Sequence, residues 1–277
     1  LLEPDELSLR SIARHKLYKE VPMPRVVAAL VSSIVVAVTC GVLCGQKKEA
    51  VSKAKPPTRN SNYLRKEFKA KDGLKLVYYL MTPKDYDAKR KYPLVVALHG
   101  RGGSTTAADV LGRDKLREHY PCFVMAPMSP RPSSWASPKT STRDIKKRPL
   151  KMAAVLQALK ALQKQLAIDA DRIYVTGQSM GGAGSFGAVA AQPDLFAAAV
   201  PVCGNWSPAE AKPMAMVPFW IFHGAKDNVV PVSGSQEMVK ALKAAGGKPK
   251  YTEYPGLRHN CWTKAYGGKK LWKWLFE

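Results

Sequence analysis

This 277-residue chain is short of acidic residues, cysteine patterns and long apolar runs, and each shortage excludes something. Aspartate and glutamate total 21 against 44 lysines and arginines, a formal net charge of +23. That excess favours anionic partners in general. The basic residues stand in short groups such as "KRK" at 89–91 and "KKR" at 146–148, with no long arm or basic amphipathic helix, so nucleic acid is not the expected partner. Five cysteines, at 40, 44, 122, 203 and 261, show no C-x-x-C spacing, which points away from both a zinc site and a disulfide framework. Cys122 and Cys203 read as buried strand cysteines. No internal repeat is visible.

One apolar run does exist, "VVAALVSSIVVAVTCGVLCG" from Val26 to Gly45, followed by the Lys/Pro-rich "QKKEAVSKAKPPTRNSN". Its length suits a bilayer span or an export signal behind a short basic n-region. The expected organisation has four parts. Residues 1–22 are an upstream extension before Met23, 23–45 a signal peptide or membrane anchor, 46–62 a flexible linker, and 63–277 a catalytic domain. Export to the periplasm or beyond follows, with membrane attachment through residues 26–45 if the segment is retained. Cys40 and Cys44 make poor lipidation sites, because Thr39 and Leu43 precede them.

After the linker, "YLRKEFKAKDGLKLVYYLMTP" alternates apolar and polar residues around Asp72-Gly73, the pattern of a β-hairpin. Short apolar runs follow: "YPLVVALHG", "YPCFVMAPMSP", "RIYVTGQS", "AAAVPVCG", "PFWIFHGAKD" and "KYTEYPG". Helical patterns separate several of them, notably "PLKMAAVLQALKALQKQLAI" and "SGSQEMVKALKAAGG". Strands alternating with helices predict an α/β fold with a mostly parallel sheet, helices on both faces and an antiparallel N-terminal hairpin. Functional groups then collect beyond the carboxyl ends of the strands.

Gly177-Gln178-Ser179-Met180-Gly181 fits G-x-S-x-G, in which glycines let a strand-to-helix turn present the serine at an exposed apex. The bland alternative is a glycine-rich turn whose serine caps the next helix. Two further strand ends carry the residues that would activate it, Asp227 in "FHGAKDNVVP" and His259 in "PGLRHNCW". A serine hydroxyl needs an imidazole to take its proton, and the imidazole needs a carboxylate to hold its tautomer. Asp194, the competing carboxylate, lies in "QPDLF" beyond the helix that follows the serine. The loop "LHGRGGS", His99 to Ser104, has the flexibility of an oxyanion loop and lacks both G-K-[ST] and G-x-G-x-x-G. The backbone N–H groups of Arg101 and Met180 are the expected oxyanion donors.

Taken together, "VVALHGRGGS", "RIYVTGQSMGGAGSF", "PDLFAAAVPVCG", "FHGAKDNVVPV" and "YTEYPGLRHNCW" resemble the α/β-hydrolase serine esterases of the phospholipase/carboxylesterase and predicted-peptidase group, similar to feruloyl and polyhydroxybutyrate-depolymerase-type esterases. The resemblance runs from about Tyr63 to the end. It implies hydrolysis of small-molecule or polymer-linked carboxylic esters through an acyl-serine, with no cofactor and no metal. Cys261 departs from the small or hydroxyl residue expected there, which bears on local packing. The polar stretch at 131–149 reads as a wall of the substrate face. Trp135 within it, with Trp206 and Trp262, is either a pocket residue or an anchor packed under its own loop. With no large lid insertion, the site is expected to be open. Two other functions fit less well: a serine peptidase of prolyl-oligopeptidase type, whose propeller is missing here, and a non-catalytic membrane-tethered binding protein.

Overall fold

The computed structural model describes residues 58, 60–129, 134–135 and 151–277, all within one compact unit spanning Ser52–Glu277. The apolar run, most of the linker, and the stretch 131–149 apart from Ser134 and Trp135 lie outside the described residues.

Eight strands form one sheet: β1 (Leu64–Lys69), β2 (Lys75–Met81), β3 (Tyr92–Leu98), β4 (Phe123–Pro127), β5 (Ile168–Gln178), β6 (Ala198–Val202), β7 (Trp220–Gly224) and β8 (Lys250–Tyr254). Their spatial order is β1-β2-β4-β3-β5-β6-β7-β8. The β1–β2 and β2–β4 pairs are antiparallel and every other pair is parallel. The predicted hairpin turns at Gly73, whose φ of 83° is one that glycine adopts without steric cost.

β3, β4 and β6 are buried along their whole length, which explains their unbroken apolar runs. Side chains of β3 alternate between two cores. Leu94, Val96 and Leu98 pack under α3 (Met152–Gln165), α4 (Met180–Ala191) and α5 (Ser233–Ala244). Val95 and Ala97 face the layer of α1 (Thr106–Leu111), α6 (Trp262–Gly267) and α7 (Lys269–Phe276). Each fully buried Leu or Val contributes about 1.5–3 kcal/mol. A short helix, α2 (Asp114–His119), sits between α1 and β4 in sequence. Because β3, β5, β6, β7 and β8 run in parallel, the loops after all five leave the same edge of the sheet.

The linker boundary needs correcting. Thr58 is buried and donates its hydroxyl to Asp109 at 2.5 Å, and the Asn60 side chain donates to the Gly112 carbonyl at 2.5 Å. Tyr63 adds a hydroxyl bond to the Ala108 carbonyl at 2.8 Å. The chain is therefore stapled to α1 from residue 58, ahead of the expected start at 63. A variant beginning at Pro57 is expected to melt about 5 °C above one beginning at Ser61, since two hydrogen bonds are worth about 2 kcal/mol together. Calorimetry of the two checks this, and equal melting temperatures would show that the staple contributes nothing.

Candidate active site

β5 ends at Gln178 and α4 begins at Met180, so the whole reversal falls on Ser179, with φ 57° and ψ −117°. A non-glycine residue at positive φ stores strain that the surroundings must hold. Here the Ser179 N–H is tied to the Val202 carbonyl at 2.9 Å and its carbonyl accepts from Ala183 at 3.0 Å. The glycines either side answer a steric demand. A Cβ on Gly177 would strike the backbone of Gly181, and one on Gly181 would strike the Leu98 carbonyl. Ser179 makes no side-chain cap bond to α4, so the capping alternative does not hold.

The hydroxyl points instead to His259, with Nε2 2.9 Å from Ser179 Oγ. The Nδ1 of the same ring lies 2.7 Å from Asp227 Oδ2. A carboxylate only accepts, so Nδ1 carries the proton and Nε2 is left to receive one from the serine. The Asp227 side chain is wholly buried and that of His259 is 17% exposed, which leaves the imidazole within reach of solvent. Asp227 Oδ1 accepts the N–H groups of Val229 and Val230, both at 2.9 Å. Burial alone would raise the Asp227 carboxyl, but the bonds from His259, Val230 and Val229 outweigh it and hold the group below its ordinary value. Asp194 is exposed, on a 3₁₀ turn, Pro193–Leu195, leading into the opposite end of β6.

The loop His99–Ser104 leaves the end of β3 against the serine: a Cβ on Gly100 would lie 3.6 Å from Ser179 Cβ. Arg101 follows Gly100 on this loop, and Met180 follows Ser179 at the start of α4. His99 holds the loop. The Ser129 N–H lies 2.9 Å from His99 Nε2, which must therefore accept, so Nδ1–H donates to the Gly100 carbonyl at 2.6 Å. In a trans peptide this fixes the direction of the Arg101 N–H. Trp135 takes the anchoring alternative rather than the pocket one. It is wholly buried, its ring meets His99 edge-on at 4.8 Å, and its indole N–H donates to the His99 carbonyl at 2.8 Å.

Burial pushes the His99 imidazole below its ordinary value, against a smaller opposing effect of the Gly100 carbonyl. The unfolded chain therefore binds a proton that the fold refuses, and stability contributed by this group falls as pH drops below about 6.5. His99→Asn is expected to flatten the part of the stability–pH curve between pH 7.5 and 5.5 that His99 supplies. Denaturant midpoints for the two proteins across that range test it, and parallel curves would remove His99 as the source.

Trp206 is also buried, and its indole nitrogen has no hydrogen-bond partner among the described residues. Trp262 is half-buried and meets the His259 ring edge-on at 5.3 Å. Cys261 is buried beside Cys203, and Cys203 lies just past β6, at φ 41°, rather than within a strand. Cys203, Asp227 and His259 bring three potential metal donors within 4.8 Å of one another. The carboxylate and both imidazole nitrogens are already committed to hydrogen bonds. The Cys203 thiol is kept protonated, first by its bond with Cys261 and then by burial. Two histidines that sequence reading passed over, His99 and His223, stand inside stretches it singled out, "LHGRGGS" and "FHGAKD".

A family model described as the dienelactone hydrolase family matches residues 79–266, a span containing Ser179, Asp227 and His259. Probable feruloyl esterase C of Aspergillus niger is 26% identical over 204 residues, covering 70% of this chain and 71% of that protein. Poly(3-hydroxyalkanoate) depolymerase C of Paucimonas lemoignei is 30% identical over 119 residues, 41% of this chain and 28% of the depolymerase. Among solved structures, a thermostable esterase is 36% identical with a TM-score of 0.73 over 78% of this chain; the match spans 63% of that esterase.

Proposed function

Because the chain belongs to the dienelactone hydrolase family, we propose that it is a carboxylic ester hydrolase working through an acyl-serine, with Ser179 as nucleophile, His259 as general base and acid, and Asp227 as the carboxylate that orients the imidazole. Supporting this is the unbroken hydrogen-bond chain from Ser179 Oγ to His259 at 2.9 Å and from His259 to Asp227 at 2.7 Å. As Oγ attacks the ester carbonyl, its proton passes to His259 Nε2, and the imidazolium so formed is stabilised by Asp227. The N–H groups of Arg101 and Met180 receive the charge that develops on the carbonyl oxygen. His259 then protonates the departing alcohol. Water, deprotonated by the same nitrogen, attacks the acyl-serine; as the acyl–Oγ bond breaks, His259 returns that proton to Ser179 Oγ and the acid is released.

The substrate class we read from the names of the relatives is an aromatic acyl ester or the exposed end of a polyester, with Trp262 beside His259 available to an aromatic acyl group. Export by way of residues 23–45, as a cleaved signal or a retained anchor, completes the reading; N-terminal sequencing of the protein recovered outside the cytoplasm tests that part. For the chemistry, a fluorophosphonate probe is expected to label Ser179. Turnover is expected on p-nitrophenyl and feruloyl esters and not on peptide amides. No labelling and no turnover would favour a binding protein, and preference for amides a peptidase.

A further inference from the structure

Asp227 serves two histidines. His223, on β7, is wholly buried, with Nε2 3.1 Å from Asp227 Oδ2 and 3.0 Å from the Val230 carbonyl. A carbonyl cannot donate, so Nε2 carries the proton and shares it between the two oxygens. The Asp227 carboxylate then holds four donors: two backbone N–H groups on Oδ1, and His259 and His223 on Oδ2. On the far side of the ring, Nδ1 lies 2.7 Å from Ser235 Oγ, and that hydroxyl lies 3.0 Å from the Gly204 carbonyl. Gly204 is seated on the backbone of Gly182 and Ala183, in the first turn of α4. A line of polar contacts thus runs from the acid of the triad to the helix that carries the nucleophile.

We propose that His223 is a positioning residue of the triad, which locks Asp227 in the orientation that receives His259 and, by taking part of the charge on Oδ2, sets how strongly that oxygen holds the imidazolium. The inference rests on the reading of Ser179, His259 and Asp227 as the catalytic unit. The charged or titratable groups facing His223 are Asp227 on the loop after its own strand, His259 across Oδ2, and Glu253 at the paired position on β8. The thiol of Cys203, at the end of β6, also lies close to Asp227 and His259. A hydrogen bond that competes for Oδ2 weakens the carboxylate as a partner for His259⁺. Removing it leaves more of the Oδ2 charge to the His259 imidazolium and leaves the carboxylate less firmly oriented.

The test compares wild type, His223→Leu and His223→Gln on p-nitrophenyl acetate across pH 5–9, with circular dichroism confirming the fold. Leu keeps bulk and removes the donor, whereas Gln returns an amide N–H near the position of Nε2. For His223→Leu, kcat is expected to fall about tenfold with KM within twofold, and the acid limb of kcat/KM to move up by about half a pH unit. His223→Gln is expected to restore both to within threefold and a fifth of a unit of about the wild-type values. A folded Leu variant with unmoved acid limb and kcat within twofold overturns the proposal. So do Leu and Gln variants that are equally slow with unmoved limbs, since that describes ring volume alone. Should His223→Leu fail to fold, His223→Gln is set against His223→Asn, which carries the amide one methylene short of Asp227. Gln near wild type with Asn about tenfold slower supports the proposal, and equal rates overturn it. Fluorophosphonate labelling of Ser179 is run in parallel. Labelling retained beside an unmoved limb removes this inference alone, whereas a wild type that is never labelled removes the triad reading as well.

Discussion

Ser179→Ala is expected to lower kcat for ester hydrolysis by about 10⁶-fold, the loss typical of removing a serine nucleophile from a triad, and to leave the melting temperature within about a degree. Both halves of that result carry information. The strained φ of 57° belongs to the turn and not to the hydroxyl, so alanine inherits the same backbone. The hydroxyl makes no cap bond to α4. Were it a helix cap, its removal would cost about 1 kcal/mol and the protein would melt lower. An active, destabilised variant would therefore reverse the assignment. His259→Ala is expected to be comparably inactive, and the double variant no worse than either single one, because the groups act as a unit. Steady-state kinetics with active-site titration, which guards against contaminating wild type, measures all three.

Asp227→Asn is expected to reduce kcat by about 10⁴-fold, as tautomer loss does in comparable triads. The four donors converging on this carboxylate sharpen the expectation. An amide replaces one acceptor oxygen by an NH₂ group, and either way round that group faces two N–H donors. Facing Oδ2's partners, the amide donates to His259 Nδ1, and the proton moves to Nε2, where it blocks deprotonation of Ser179. Facing Val229 and Val230, it undoes the turn that holds the loop. A stability loss of about 1–3 kcal/mol accompanies the kinetic one. Asp194→Asn, exposed on its 3₁₀ turn at the other end of β6, is expected to leave kcat within a few-fold. Reversed phenotypes in the two variants would give the acid role to Asp194.

The fold, and the serine, aspartate and histidine that it brings together, were legible because both follow local rules. Unbroken apolar runs mark strands covered on two faces, and β3, β4 and β6 obey that. Ser179 and Asp227 each follow such a run, whereas His259 follows the half-exposed β8, whose Lys, Thr and Glu interrupt the apolar pattern. What escaped were residues whose meaning depends on a neighbour far away in sequence. Trp135 sits in a polar stretch without periodicity, and only its bond to the His99 carbonyl makes it an anchor. His223 reads as an ordinary inward strand residue until Asp227, four positions on, turns back beneath it. The docking of Thr58 on α1 was hidden by the Lys/Pro-rich composition around it. Spacing alone cannot report a contact made by a residue that belongs to no repeating pattern.

The helix that carries the nucleophile, "MGGAGSFGAVAA", has glycine at 181, 182, 184 and 187. Each costs roughly 1 kcal/mol of helix propensity relative to alanine. Such a segment has almost no tendency to be helical by itself. It is held by the backbones it rests on, those of Leu98 at the end of β3 and of Val202 and Gly204 at the end of β6. Those strands in turn pair with β5, so the turn bearing Ser179 exists only once three strands distant in sequence have met. Assembly of this turn is therefore expected to be cooperative with the sheet, so that on heating activity and the circular-dichroism signal of the sheet are lost at the same temperature.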